Sequence, residues 1–253
     1  MKLLESLIIA CAMYSKIPMP RVEWNEKNMR YAMCFFPMIG MVIGALYVGW
    51  GQLWSYLAGG SLWYALMGTA IPLMVTGGIH MDGFLDVSDA KASFQTRERK
   101  LEIMKDPHMG AFAVLYGAVY LLLYIGFFSE LPSSCLVYLA AVPVISRALG
   151  GLSVVWFPKA KKDGLVSEFS KTADRTPVTV CMILFLVGAA GYLWLAAGAA
   201  LAILLLFGGV VLYFWYYKMS KREFGGVTGD LAGYFLQVTE LVLLMVLVLY
   251  GKL

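Results

Sequence analysis

From Val178 to Tyr217 the chain reads VTVCMILFLVGAAGYLWLAAGAALAILLLFGGVVLYFWYY, without one Asp, Glu, Lys or Arg. A transmembrane helix needs about 20 mostly apolar residues, so this stretch holds two spans. They divide around Ala196-Ala197-Gly198, a hairpin with almost no loop. The rest of the chain is of the same kind. Of its 253 residues 60% are apolar and 14% charged, against about 25% charged in an ordinary soluble domain, and the mean hydropathy is +0.74. A soluble chain of this size leaves roughly a quarter or more of its area in water and cannot hide so much apolar surface. The composition excludes disorder, a nucleic-acid-binding domain and a disulfide-stapled module. It predicts a single all-α domain over 1–253, a polytopic integral membrane helical bundle.

Outward from that hairpin, spans are predicted near 33–57, 62–79, 111–129, 134–157, 178–196, 198–217 and 230–250, about seven in all. The apolar segment 3–14 is too short to cross and is expected at the interface or re-entrant. It leads into Lys16-Ile17-Pro18-Met19-Pro20 and does not read as a cleavable signal. Cys11, Cys34, Cys135 and Cys181 form no Cys-x-x-Cys pair and read as small buried hydrophobes. The net charge of +4 says little by itself, but its distribution is informative. Of the 20 basic residues, 18 fall in segment 1–30 and loops 80–110, 158–177 and 218–229. The links near 58–61, 130–133 and 197 hold none. By the positive-inside rule those basic loops are cytoplasmic, the N-terminus is inside and the C-terminus outside. Nearly all polar loop chemistry then faces the cytoplasm, as suits an enzyme with cytoplasmic substrates.

Loop 80–110 opens His80-Met81-Asp82-Gly83-Phe84-Leu85-Asp86-Val87-Ser88-Asp89. Aspartates at i, i+4 and i+7 share one helix face. Clustered carboxylates repel and raise one another's pKa unless a cation neutralises them. Hard oxygens without cysteine favour Mg²⁺ or Mn²⁺ over zinc. The bland alternative is a solvated helix face. Against it, the loop holds six acids beside five bases, where topology needs only positive charge. The basic half, Arg97 to Lys105, has the chemistry to hold phosphate oxygens, and acid-held Mg²⁺ with basic clamps is the equipment of phosphoryl transfer. His80 is either a structural imidazole or a base.

Charges inside spans are costly and usually face a bundle interior or cavity. Arg147 is one, with Glu240 in the last span as its candidate partner and Gln237 a turn earlier. A substrate-phosphate contact is the other reading of Arg147. Gly225-Gly226-Val227-Thr228-Gly229 before Asp230 can form an anion or metal nest at a helix start.

With these residues in hand, the chain resembles the bacterial cobalamin synthase family, the adenosylcobinamide-GDP ribazoletransferases. The resemblance runs through almost the whole length. It is carried by Phe35-Phe36-Pro37 with Gly40 and Gly44, by Gly77-Gly78-Ile79-His80-Met81-Asp82-Gly83 with Asp86 and Asp89, and by Arg99-Lys100-Leu101-Glu102-Ile103-Met104-Lys105-Asp106 with Gly110. Ser146-Arg147 and Thr228-Gly229-Asp230 with Gly233 and Glu240 complete it. The chain departs at Lys16, Gly164-Leu165-Val166, Tyr234 and Gln237, leaving the aspartates untouched.

The resemblance implies the late joining step of cobalamin biosynthesis. The 5′-hydroxyl of α-ribazole, or the phosphate of its 5′-phosphate, is expected to attack the phosphorus next to cobinamide in adenosylcobinamide-GDP, and GMP leaves. It implies Mg²⁺ held by Asp82, Asp86 and Asp89. It places Lys105, Asp106 and His80 in the catalytic set, and Arg99, Glu102, Arg147, Thr228, Asp230 and Glu240 in the ligand-binding set. The implied setting is the bacterial inner membrane, with the bilayer and the small-molecule substrates as partners, no nucleic acid, and a homo-oligomer left open. Two competitors have less support. A CDP-alcohol phosphotransferase would carry Ala-Arg after the first acidic pair, which is missing here. A transporter would use Arg147 and Glu240 along a path, but no internal repeat is visible.

Overall fold

The computed structural model describes residues 2–57, 59–160 and 174–252. Among these the chain is helical, with one isolated parallel bridge between Lys159 and Val227. The longer helices are α1 (Lys2–Tyr14), α2 (Phe36–Leu57), α3 (Ser61–Thr76), α4 (Ile79–Ala92), α5 (Arg97–Ile103), α6 (Ala111–Ser129), α7 (Val142–Trp156), α8 (Arg175–Ala197), α9 (Ala199–Phe224) and α10 (Gly229–Tyr250). Short helical turns at Glu26–Met29, Ala32–Phe35, Ser133–Cys135 and Leu136–Leu139 lead into α2 and α7.

Among the described residues six helical stretches are long and apolar enough to cross a bilayer: Lys27–Leu57, α6, Ser133–Trp156, α8, α9 and α10. The seventh predicted span, 62–79, is α3, which is shorter and joins α4 through a 97° bend. Counted as a crossing, it brings the total to the seven that the hydropathy predicts. The protein is a multi-pass membrane bundle. The hairpin between α8 and α9 turns at Gly198, whose φ of +90° suits glycine.

α7 and α10 are the inner helices, while α8 and α9 present Leu184, Leu195, Ile203 and Phe207 outward to lipid. Lipid tails supply no hydrophobic drive between helices, so close backbone packing must hold the bundle. Gly40 and Gly44 of α2 show how. A Cβ at either would stand 2.4 Å from a carbonyl oxygen, that of Pro143 or Ala140. α1 is too short to span. It buries Ile9 and Ala10, bonds Ser6 Oγ to the Asn28 carbonyl at 2.6 Å, and leads to Lys16, whose N–H donates to Val75 at the end of α3 (2.7 Å).

Contacts between the loops sort them onto two ends of the bundle. On the base-rich end Arg30 pairs with Asp174 (2.7 Å), Lys100 with Glu223 (2.6 Å), and Val227 N–H donates to the Pro158 carbonyl (2.8 Å). On the other, Lys252 pairs with Glu130 (2.7 Å) and Tyr192 OH donates to the Val137 carbonyl (2.8 Å). Lys161, Lys162, Lys171 and Gly164 to Val166, in the third basic loop, lie outside the described residues.

Candidate active site

The site is built on the bend between α3 and α4. Gly77 and Gly78 have φ of +64° and +79°. Two consecutive left-handed residues are cheap only for glycine, and they swing α4 across the base-rich ends of the spans. There α4 meets α10 in an antiparallel crossing without side chains between the backbones. A Cβ on Gly83 would lie 2.7 Å from the Asp230 carbonyl oxygen, and one on Gly233 would lie 3.0 Å from that of His80. On its other flank α4 meets the start of α6. The Asp89 carboxylate occupies the place beside Gly110 where a Cβ would stand, and its Oδ1 accepts the N–H of Ala113 (3.3 Å).

These contacts bring together Asp82, Asp86 and Asp89, as the helical spacing predicts, and add Asp230 from the far end of the sequence. Asp82 is exposed and the other three are half-buried. Burial first, and then the neighbouring charges of Asp82, Asp230 and Asp89, push the Asp86 carboxyl up to about 6. Asp230 sits where predicted, one turn into a helix start. Thr228 caps that helix by accepting the Leu231 N–H (3.2 Å). Gly226 lies against the Pro158–Lys159 backbone, leaving no room for a side chain.

His80 is elsewhere. Its ring is buried, stacked with Tyr14 (6.5 Å between centroids) and edge-on to Phe36 (5.8 Å), with Nε2 unpartnered. Burial and the Arg147 charge hold it neutral, well below the ordinary histidine range. Arg147 and Glu240 find each other in the core, as their sequence positions suggest. Nη1 to Oε1 is 2.6 Å, with side-chain exposures of 1% and 3%. Ser146 Oγ donates to the same oxygen (2.8 Å), and Arg147 also donates to the Pro143 carbonyl (3.0 Å). In this structure the arginine is committed to the bundle.

The basic segment after α4 is surface. Arg99 pairs with Glu102 at 2.8 Å, both well exposed, and Lys105 is exposed. Asp106 accepts the backbone N–H of His108 (2.9 Å) and meets its ring, which holds its carboxyl below the usual range. Sequence reasoning missed what anchors this segment. Lys100 is buried against Glu223 and Arg97 Nε donates to the Arg222 carbonyl (2.8 Å), tying α5 to the end of α9. It also missed Lys91, whose ammonium donates to Tyr234 OH (3.1 Å) and lies over the Tyr234 and Trp215 rings. Nothing in the local sequence distinguishes either lysine from its neighbours.

Among the described residues no three Asp, Glu, His or Cys side chains close on one point. A small hard cation that takes one or two carboxylates and fills its shell with water and substrate phosphate, as Mg²⁺ does, needs no such closed cage. The donor set fits that kind of ion. Its oxygens are hard, and Asp82, Asp89 and Asp230 lie close enough to add, after burial, to the rise at Asp86.

The profile of the cobalamin-5-phosphate synthase family matches residues 6–248. The chain is 46% identical over 241 residues to the adenosylcobinamide-GDP ribazoletransferase of Lachnoclostridium phytofermentans, covering 95% of this chain and 92% of that one. It is 31% identical over 239 residues to the enzyme of the same name from Clostridium perfringens strain 13, with 93% and 94% covered. It is 32% identical over 256 residues to that of Desulfitobacterium hafniense, with 96% of each covered. No solved structure matches the chain. The residues that build the α3–α4 bend, the carboxylate face and the start of α10 all lie inside the matched region, and the chain belongs to the cobalamin-5-phosphate synthase family.

Proposed function

We propose that this protein is an adenosylcobinamide-GDP ribazoletransferase. It joins adenosylcobinamide-GDP to α-ribazole, or to α-ribazole 5′-phosphate, on the cytoplasmic face of the bacterial inner membrane, releasing GMP. The observation that carries this reading is the gathering of Asp82, Asp86, Asp89 and Asp230 at the α4–α10 crossing, in a chain whose relatives bear that name.

The product keeps any 5′-phosphate of the ribazole, so the attacking atom is a ribose hydroxyl oxygen. Its bond to the cobinamide-side phosphorus forms, the bond from that phosphorus to the bridging oxygen breaks, and the bridging oxygen departs with GMP. Bound Mg²⁺ would supply charge neutralisation on the pyrophosphate oxygens, held by carboxylates among Asp82, Asp86 and Asp89 with Asp230 beside them. The hydroxyl proton passes to a carboxylate of the same face. A carboxylate of that face that does not engage the ion is suited to receive it. Arg99 and Lys105, on the exposed segment that α5 anchors, neutralise non-bridging oxygens. Arg147, Glu240 and His80 act from within the bundle by holding α7, α10 and the start of α4 in place.

The test uses purified protein in detergent with adenosylcobinamide-GDP, α-ribazole and Mg²⁺, measuring GMP and the cobamide product. Wild type forms both, and neither forms without a divalent cation. Asp82→Ala inserts normally and makes neither. Absence of GMP with wild type, or wild-type rates with Asp82→Ala, overturns the assignment.

A further inference from the structure

An open cleft of about 590 Å³ lies in the angle of the 97° bend, within the roughly 300–1,000 Å³ range of small-molecule sites. Its walls are Leu73 and Met74 from the end of α3 and Ile79, Met81 and Leu85 from α4, with Gly77 and Gly78 between. Asp82 is the one polar side chain in the lining. The cavity is therefore continuous with the carboxylate face, because the same aspartate belongs to both. A side chain at Gly78 would meet nothing within 4 Å, so the backbone there leaves the space open.

The lining decides what fits. The N–H groups of Gly77 and Gly78 are both given to the Leu73 carbonyl, so the turn offers a ligand no donor from either. A guanine seated here would get no donor from the turn for its carbonyl oxygen and N7, and the apolar walls offer none. A lipid chain seated here would cover Asp82 and give its carboxylate no donor. A flat apolar ring with hydroxyls at one end suits both constraints. The ring lies against the leucine and methionine walls, and the hydroxyls reach Asp82.

We propose that this cavity is the seat of the ribazole, its apolar fused-ring base under the Gly77–Gly78 bend and its ribose directed at Asp82. The assignment rests on the function proposed above. It explains why the acceptor nucleoside meets the phosphates at the membrane interface. Its base occupies a pocket floored by the cytoplasmic end of a span, and the guanine stays outside.

Met74 is 70% exposed and is not part of the carboxylate cluster. It can therefore be enlarged or truncated with little effect on packing. Met74→Trp narrows the cavity and Met74→Ala widens it. Steady-state kinetics are measured for each substrate in turn with the other saturating, in detergent and in nanodiscs of two lipid compositions. The KM for α-ribazole is expected to rise at least about tenfold in Met74→Trp, the scale on which apolar pockets discriminate. The KM for adenosylcobinamide-GDP should move less than about twofold. Direct binding of α-ribazole to the purified variants should weaken in parallel.

An unchanged ribazole KM in both variants overturns the proposal. So does a change confined to the GDP substrate, which would make this the guanine site. So does an effect that appears or vanishes with lipid composition, which would make it a lipid site. A wild-type protein that releases no GMP defeats the functional reading instead. A working enzyme indifferent to Met74 defeats only the placement of the ribazole.

Discussion

Between about pH 4 and 6 Asp86 holds a proton that an ordinary aspartate has already lost. The sign of the consequence follows from linkage. In that window the folded protein binds more protons than the unfolded chain, so stability falls as pH rises through it. A divalent cation on the cluster opposes this, since it binds only where the proton has left. Addition of Mg²⁺ is accordingly expected to raise the melting temperature in detergent clearly at pH 7 and weakly at pH 5. Equal stabilisation at both pH values would mean that the ion binds elsewhere. Arg147 and Glu240 make the opposite case, a charge pair satisfied inside the bundle at 2.6 Å. Removing one partner leaves the other charge buried and alone, which costs roughly 3–5 kcal/mol, whereas replacing both with apolar residues is often nearly neutral. Glu240→Gln should therefore lower the melting temperature more than the double change Glu240→Leu with Arg147→Met. If the double variant is the less stable, the pair contributes more than its mutual neutralisation.

The two helices that frame the site touch through glycine, and this sets what the elements tolerate. A methyl on Gly83 would stand 2.7 Å from the Asp230 backbone. Only separation of α4 from α10 relieves that, since neither backbone can turn aside as a side chain does. Gly83→Ala is expected to cost about 1–3 kcal/mol, in the range of overpacking, and to lose most GMP release while the spans still insert. Unimpaired turnover would show that Asp230 is not needed beside Asp86. The same contacts mark how far the sequence could be read. The spans were legible because lipid demands long apolar runs, and the shared face of Asp82, Asp86 and Asp89 because helical spacing is local. The bend was visible only as a glycine pair. Asp230 was suspected from its glycine-rich approach, but its place beside Asp86 depends on packing between residues far apart in the chain. His80 adjoins the signature aspartates in sequence yet turns its ring inward against Tyr14 and Phe36. The capping of α6 by Asp89 across Gly110 was equally hidden, because neither residue signals the other.

At the scale of the molecule, the sorting of loops by charge and by contact can be combined. Segment 1–30 meets the start of α8 through Arg30 and Asp174, and α5 meets the end of α9 through Lys100 and Glu223. All of these belong to the base-rich end that the positive-inside rule assigns to the cytoplasm. Lys252 is the outlier in that count, but it is paired with Glu130 at the opposite end, so its charge argues little against the assignment. On that rule the expected orientation has the N-terminus and the carboxylate face inside and the C-terminus outside. Alkaline phosphatase fused after Lys252 should be active and a fluorescent protein there dark. The same reporters inserted at Gln95, between α4 and α5, should behave in the reverse way. Five crossings separate the two sites, α6, Ser133–Trp156, α8, α9 and α10, so their signals are expected to be opposite. Activity of the phosphatase at Gln95 would therefore put the aspartates on the outer face, away from any nucleotide pool, and would remove the enzyme reading together with the topology. A third reporter at the N-terminus tests α3: it should match the one at Gln95 if α3 crosses, whereas opposite signals, with Gln95 inside, would make the α3–α4 pair re-entrant. The carboxylates would then stay inside, but the count of seven crossings would fall to six.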